Sequence, residues 1–198
     1  MCHRDHTLQG RAYLGFTDAV RGNFGFMKDH GFKEVRAEDT IIRYETERVF
    51  LNVYHGRSSH ELGIEVGLLE TGGRDVHGYP LGAFVRLMDP EEGSRLRYFC
   101  ATTPGEVGTG VQRLAVQVRH YVDRALKGDE RIFSELAQQQ REWASEFADE
   151  VAYNQVGPKA AEAFRQQNYR KAAELYESIR GKLTPAELKK LEYAKKHA

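Results

Sequence analysis

From Leu8 to His30 the apolar residues Leu14, Phe16, Val20, Phe24 and Met27 recur at roughly the spacing of one helix face. Gly31 supplies a left-handed C-cap for that helix. Gly15, Gly22 and Gly25 weaken it, each costing about 0.5–1 kcal/mol relative to Ala. The period then changes to two. Ile42 and Tyr44 lead into Glu45-Thr46-Glu47, after which Val49, Leu51 and Val53 alternate with Phe50, Asn52 and Tyr54. Beyond the polar link from His55 to His60, Leu62, Ile64, Val66 and Leu68 alternate with Gly63, Glu65 and Gly67. Alternation of this kind predicts half-buried strands, and short polar links predict antiparallel hairpins. The Leu-Ile-Val-Leu face needs an apolar cover, which the helices on either side in sequence can provide.

Gly72-Gly73 opens a predicted loop, and Pro80 introduces a short helical pattern of Leu81, Phe84, Val85 and Met88 that Asp89-Pro90 ends. Leu96, Tyr98 and Cys100 have strand spacing. The stretch Thr102–Gly110, with Pro104 and three glycines, reads as a loop before the clearest helix. On that helix Val111, Leu114, Ala115, Val118, Val122, Ala125 and Leu126 share a face, and Gly128 stops it. A second long helix carries Phe133, Leu136, Ala137, Trp143, Ala144, Phe147 and Val151. Gly157-Pro158 is a turn pair with proline placed to start a helix, and marks the expected boundary. The expected fold is α+β. A body over residues 1–152 holds an antiparallel sheet of roughly three to five strands packed by long helices. A C-terminal helical hairpin with one further helix occupies 157–198.

Composition narrows the classes. The chain has 198 residues, 40% hydrophobic and 11% aromatic, enough to bury a core and to exclude wholesale disorder. Lys+Arg and Asp+Glu are both 29, so the chain lacks the basic excess of a dedicated nucleic-acid binder. From Tyr153 onward there are 10 basic and 5 acidic residues, against 19 and 24 before it. Tail and body therefore have opposite sign, which favours their docking by a modest, screened force. Apolar runs such as Val49-Phe50-Leu51 are too short for a membrane span. Two cysteines, Cys2 and Cys100, make no disulfide framework, and Met1–His6 lacks the apolar stretch of a secretory signal. A soluble cytoplasmic protein is the expectation.

Residues 160–196 carry Asn168-Tyr169 at an apparent helix–helix turn, Ala160 and Ala172 as small residues, Tyr176 as a large one, and Thr184-Pro185 at a new helix start. This pattern resembles a single tetratricopeptide repeat, whose two helices need small residues where they cross and large ones in the adjacent groove. The resemblance implies a packed helical hairpin and, with one copy against the three or so a free solenoid needs, no assured peptide groove. The order of elements in the body, with Tyr54-His55-Gly56-Arg57-Ser58-Ser59-His60-Glu61-Leu62 on one hairpin, is similar to small bacterial α+β proteins of the toxin-immunity type. That resemblance implies a non-catalytic protein-binding module, immunity-like or adaptor-like, in which acidic residues meet a basic partner. It brings no catalytic residues.

The candidate chemistry is sparse. Glu45, Glu47, Glu61 and Glu65 lie at polar positions of adjacent strands and are the expected partner-binding residues. If two were buried together, one would become a general acid. His55, Arg57, Ser58 and His60 gather on one hairpin loop, where a histidine pair with an arginine can hold a phosphate or move a proton. Gly105, Gly108 and Gly110 precede a helix whose N-terminus can bind an anion, although the sequence fits neither a P-loop nor a dinucleotide fingerprint. A small enzyme or a sensor of an anionic ligand, built on that loop and that helix start, is the alternative reading. Cys2, His3 and His6 are residue types that zinc accepts, but no matching second pair follows. The aromatics interleaved with arginine fall mostly on apolar-periodic positions, which suits a core better than stacked bases. No catalytic residue, metal or cofactor is expected, and the expected partner is a protein, without nucleic acid or membrane.

Overall fold

The computed structural model describes residues 11–70 and 75–198, which divide into two compact units at Ala137/Gln138. The Cys2-His3-His6 cluster lies outside the described residues.

The first unit is an antiparallel meander with helices packed against it. Its strands β1 (Lys33–Glu38), β2 (Ile41–Glu45), β3 (Val49–His55), β4 (Glu61–Leu69) and β5 (Asp75–Pro80) are neighbours in chain order. A two-residue strand, β6 (Phe99–Cys100), pairs with the start of β4, one more strand than expected. The predicted alternation is the observed one: Ile42, Leu51, Val53, Leu62, Ile64 and Val66 are buried in one core. α1 (Phe16–Asn23), α2 (Leu81–Met88) and α4 (Pro104–Tyr121) contribute Phe16, Val20, Phe84, Val85, Val111 and Val118 to the same cluster. At roughly 25 cal/mol per Å² of apolar surface removed from water, such side chains supply most of the force that closes a helix layer on a sheet.

Several boundaries differ from the sequence expectation, each for a local reason. The single helix expected from Leu8 to His30 is, over its described part, three pieces. A 3₁₀ turn (Arg11–Leu14), α1 and a second 3₁₀ turn (Gly25–His30) follow one another, because Gly15 takes φ 64° and Phe24 leaves helical geometry. Gly31, at φ 78°, closes the last piece as expected. The glycines after Thr102 are not a loop. α4 starts at Pro104, and a reciprocal capping box between Thr103 and Glu106 carries it through Gly105, Gly108 and Gly110. Asp89-Pro90 does not merely end α2. The Asp89 side chain accepts from the Glu92 N–H and caps a further helix, α3 (Pro90–Arg95). α5 (Asp123–Leu126) then follows α4 after an interruption at Val122.

α6 (Arg131–Arg165) gives Ile132, Phe133 and Leu136 to the first core. Gly157-Pro158 lies inside this helix rather than at a boundary, and the division between units falls earlier. A proline there forgoes one backbone hydrogen bond, which sequence punctuation read as a stop. Farther along α6, Trp143 and Phe147 are 65% and 62% exposed, so the expected apolar face does not continue as core. In the second unit the end of α6, α7 (Tyr169–Ser178) and α8 (Pro185–His197) bury Ala160, Ala163, Ala172, Tyr176, Leu191 and Ala194 together. Asn168 caps α7 through the Lys171 N–H, and a second capping box, Thr184 with Glu187, starts α8. The Tyr153 hydroxyl donates to Glu187 at 3.0 Å within this unit.

Candidate functional site

The structure brings His55 and His60 together, but His55 is a core residue. It is 1% exposed, stacked on Phe16 at 6.0 Å between ring centres, and 6.0 Å from the His60 ring. Its Nε2 stands 2.8 Å from the Ala101 carbonyl, an acceptor only, so Nε2 carries the proton. The Arg11 guanidinium approaches the other nitrogen at 3.5 Å and donates to the carbonyls of Gly56 and Arg57. Burial above all holds the His55 pKa below its ordinary value. Thus His55 is a neutral strut joining β3 to the residue after β6, and the cation beside it is Arg11 rather than Arg57. Arg57 and Ser58 are exposed on the turn.

The helix start at Gly105 is also filled. The Glu106 carboxylate accepts from the backbone N–H groups of Thr102 and Thr103 at 2.8 and 3.0 Å and from the Thr102 hydroxyl at 3.1 Å. These bonds, that of the Thr102 N–H foremost, lower its pKa. The chain's own anion takes the place a ligand anion would occupy.

Of the acidic candidates, Glu45, Glu61 and Glu65 are half-buried and Glu47 is exposed. Glu45 pairs with Arg43 at 2.5 Å, and Glu65 accepts from Asn52 at 2.9 Å. Arg43 lies over the Phe50 ring at 4.2 Å, so this face is a knit polar layer rather than a row of free carboxylates. Glycines shape it as well. A Cβ on Gly63 would stand 2.3 Å from the Tyr54 ring, and one on Gly67 2.7 Å from Phe50. Each aromatic therefore lies across a bare stretch of β4, as the registers Tyr54↔Gly63 and Phe50↔Gly67 require.

A further feature of this unit is a break in the pairing of β4, which no sequence signal announced. Gly56 N–H bonds the Glu61 carbonyl and Leu69 N–H bonds the Arg48 carbonyl, both at 2.7 Å, so the odd residues of β4 bond to β3. The even residues Leu62, Ile64 and Val66 turn their backbone groups the other way. Leu62 faces Phe99 of β6 and Val66 faces Tyr79 of β5. Between them the N–H of Ile64 points to a place where no strand residue is registered opposite. A shallow, narrow groove with a free volume of about 30 Å³ opens there, walled by Tyr54, Leu62, Leu81, Phe99 and Leu114, with Arg97, Tyr98, Arg113 and Gln117 along it. Its depth depends on two more glycines. A Cβ on Gly110 would come within 2.5 Å of Leu62 and 2.6 Å of Phe99, and one on Gly82 within 3.2 Å of Leu96. Among the described residues Arg113, which is exposed, makes no salt bridge, and Arg97 meets the carbonyls of Ser94 and Leu96, at 3.4 and 3.1 Å. The groove thus combines apolar walls, one backbone N–H with no strand residue registered opposite, and two guanidinium groups that form no salt bridge with a described residue.

Among the described residues no group of three or more His, Cys, Asp or Glu is placed to hold a metal, and no helix is long and apolar enough to cross a membrane. The chain matches no protein-family model, no curated protein and no solved structure.

Proposed function

We propose that the chain is a protein-binding module without catalysis, immunity-like or adaptor-like. Its first unit receives an extended, acidic segment of a partner protein in the groove beside Ile64. The observation that carries this reading is the Ile64 N–H, which has no strand residue registered opposite, at the two-residue gap of Gly63 and Ile64 between the pairings of β4 with β6 and with β5. A buried backbone donor without a partner is uncommon, and an incoming main-chain carbonyl is the group that satisfies it. Arg97 and Arg113 select the acid, because each offers planar donors to a carboxylate and neither forms a salt bridge with a described residue. The tetratricopeptide-like pattern of the second unit supports a protein partner but does not supply the site. The charge logic is reversed from the immunity expectation: Glu45 and Glu65 are already engaged, so the acidic side chains belong to the partner. The alternative, an anion sensor at the His55–His60 loop and the α4 start, meets a neutral buried histidine and a helix end already occupied by Glu106.

The test uses the full chain and labelled hexapeptides of alternating Val with Glu, or Val with Lys. The Glu peptide should bind and shift the Ile64 amide resonance. Arg97→Gln and Arg113→Gln should each weaken binding roughly tenfold, as expected for a charged hydrogen bond of 1.5–3 kcal/mol. Equal binding of both peptides, or an Ile64 amide that does not respond, removes the proposal.

A further inference from the structure

At the other edge of the sheet a cleft of about 520 Å³ lies among α1, the 3₁₀ turn Gly25–His30, β1 and β2. Its apolar wall is aromatic. Phe24 and Phe32 are 1% and 3% exposed, and the Phe24 and Tyr44 rings lie nearly parallel, 14° apart with centres at 6.4 Å. Tyr44 lines the cleft at 6% exposure, yet its hydroxyl makes no hydrogen bond to any described residue. Burial pushes this phenol up to about 12, so it stays a neutral donor at every pH at which the protein would be handled.

The charges at the rim are uneven. Arg21 and Glu34 face one another through bonds of 2.5–3.3 Å and cancel. Lys28 and Lys33, both lining the cleft and both exposed, form no salt bridge with a described residue, although the Glu34 carboxylate, lowered in pKa mainly by Arg21, also feels the Lys28 charge. The result is an aromatic-walled pocket with a phenol donor that bonds no described residue and two exposed ammonium groups, of a volume usual for small-molecule sites. Nothing in it resembles the narrow groove beside Ile64, and its occupant need not be a peptide.

We propose that this cleft binds a small aromatic carboxylate, with the ring against Phe24 and Phe32 and the carboxylate held by the Tyr44 hydroxyl and by Lys28 and Lys33. The ring supplies the apolar burial, and the two ammonium groups set the preference for an anion over a neutral analogue. The inference is independent of the protein-binding reading, since it uses neither Arg97 nor Arg113.

Calorimetric titration of the full chain with 2-naphthoate and with its neutral isostere 2-naphthamide tests it. The acid should bind roughly tenfold tighter than the amide at low ionic strength, and the advantage should shrink with added salt. Tyr44→Phe keeps the ring and the core and removes one donor, and should weaken the acid roughly three- to tenfold. The double substitution Lys28→Gln with Lys33→Gln, on exposed side chains that cannot unfold the unit, should abolish the preference for the acid. Arg97→Gln should leave both ligands unaffected. The proposal is overturned if acid and amide bind alike, if the double variant keeps the preference, if Tyr44→Phe binds the acid as tightly as the parent, or if no saturable binding occurs.

Discussion

The start of α4 and the break beside Ile64 are built from similar parts and end in opposite states. Both place glycines against a strand or turn, and both expose backbone N–H groups at the edge of regular structure. At the helix start the N–H groups of Thr102, Thr103 and Glu106 are met by the chain itself, through Thr103 and Glu106. At the break the Ile64 N–H has no strand carbonyl opposite, and Arg113 beside it forms no salt bridge with a described residue. Sequence motifs drew attention to the first place, because glycine before a helix is a familiar anion signature. The difference teaches that a motif marks where an anion would be welcome, whereas a site also requires that the chain has not already supplied one. The His55 corner belongs with the filled places: its proton, its ring and the cation beside it all have partners in the fold.

The largest expected effect comes from filling the break. Gly110→Val would set a branched side chain where even a Cβ is 2.5 Å from Leu62 and 2.6 Å from Phe99. Overpacking of this kind typically costs about 1–3 kcal/mol. Urea unfolding should show that loss, and the acidic peptide should lose its groove in the same variant. Unchanged stability would mean that α4 does not approach β4 as closely as the groove requires.

The His55 corner should reveal itself in pH dependence. The folded state depresses the His55 pKa below that of the unfolded chain, so on acidification the unfolded chain takes the proton first. His55 therefore contributes its full share above about pH 6.5, the unfolded value, and that share falls as the pH drops below it. Unfolding free energies measured at pH 7.5 and 5.5 should differ, and His55→Leu should narrow the difference. The variant should also lose about 1–3 kcal/mol at pH 7.5, because the buried Ala101 carbonyl is left without a donor. A parent whose stability does not change over this range would contradict the neutral-strut assignment.

How much of this was legible in the sequence follows from what each element depends on. β3 and β4 were, because Val49–Tyr54 and Leu62–Leu68 alternate strictly in sequence, although β3 proves buried on both faces, Phe50 and Asn52 included. β1 was not: Lys33-Glu34-Val35-Arg36-Ala37-Glu38 is exposed on both faces, so pairing with β2 alone makes it a strand and no apolar pattern records it. β5 reads as a loop for a similar reason, since Gly78 and Pro80 punctuate it and only its register with β4 reveals it. Capping explains the shifted helix starts. Thr103-Pro104-Gly105-Glu106 is a capping box whose signal the glycines obscured. The candidate residues were placed together where they share a hairpin, as His55 and His60 do, but their burial and partners come from Phe16, Ala101 and Arg11, distant in sequence. The break beside Ile64 was beyond reach, because it is the absence of a partner between two strands, one of which is only two residues long.

Opening the filled helix end should cost less than filling the open one. Thr103→Ala removes the acceptor of the Glu106 N–H, at 3.3 Å, and half of the capping box. A loss of about 1 kcal/mol is expected, read from thermal or urea unfolding. Binding of the acidic peptide should be unaffected, because neither Arg113 nor the Ile64 N–H depends on the cap. A weakened peptide affinity in this variant would show that the two regions are coupled, and the contrast between them would lose its meaning.

The smallest effect is the sharpest contrast, because it concerns two glycines two positions apart on the same helix. Gly108 meets nothing within 4 Å of an added Cβ, and its φ is not positive. Alanine there should stabilise α4 by about 0.5–1 kcal/mol, by removing backbone freedom from the unfolded chain. For a chain of this size that is a rise of roughly 1–4 °C in Tm. Gly110→Ala has the same gain in propensity but must push Leu62 and the Phe99 ring aside, so its Tm should fall instead. The two substitutions share chemistry and helix, and only the close approach to β4 and β6 separates them. If both raise Tm, the wall at Gly110 yields easily, and the groove beside Ile64 is a softer feature than a partner's extended segment would need.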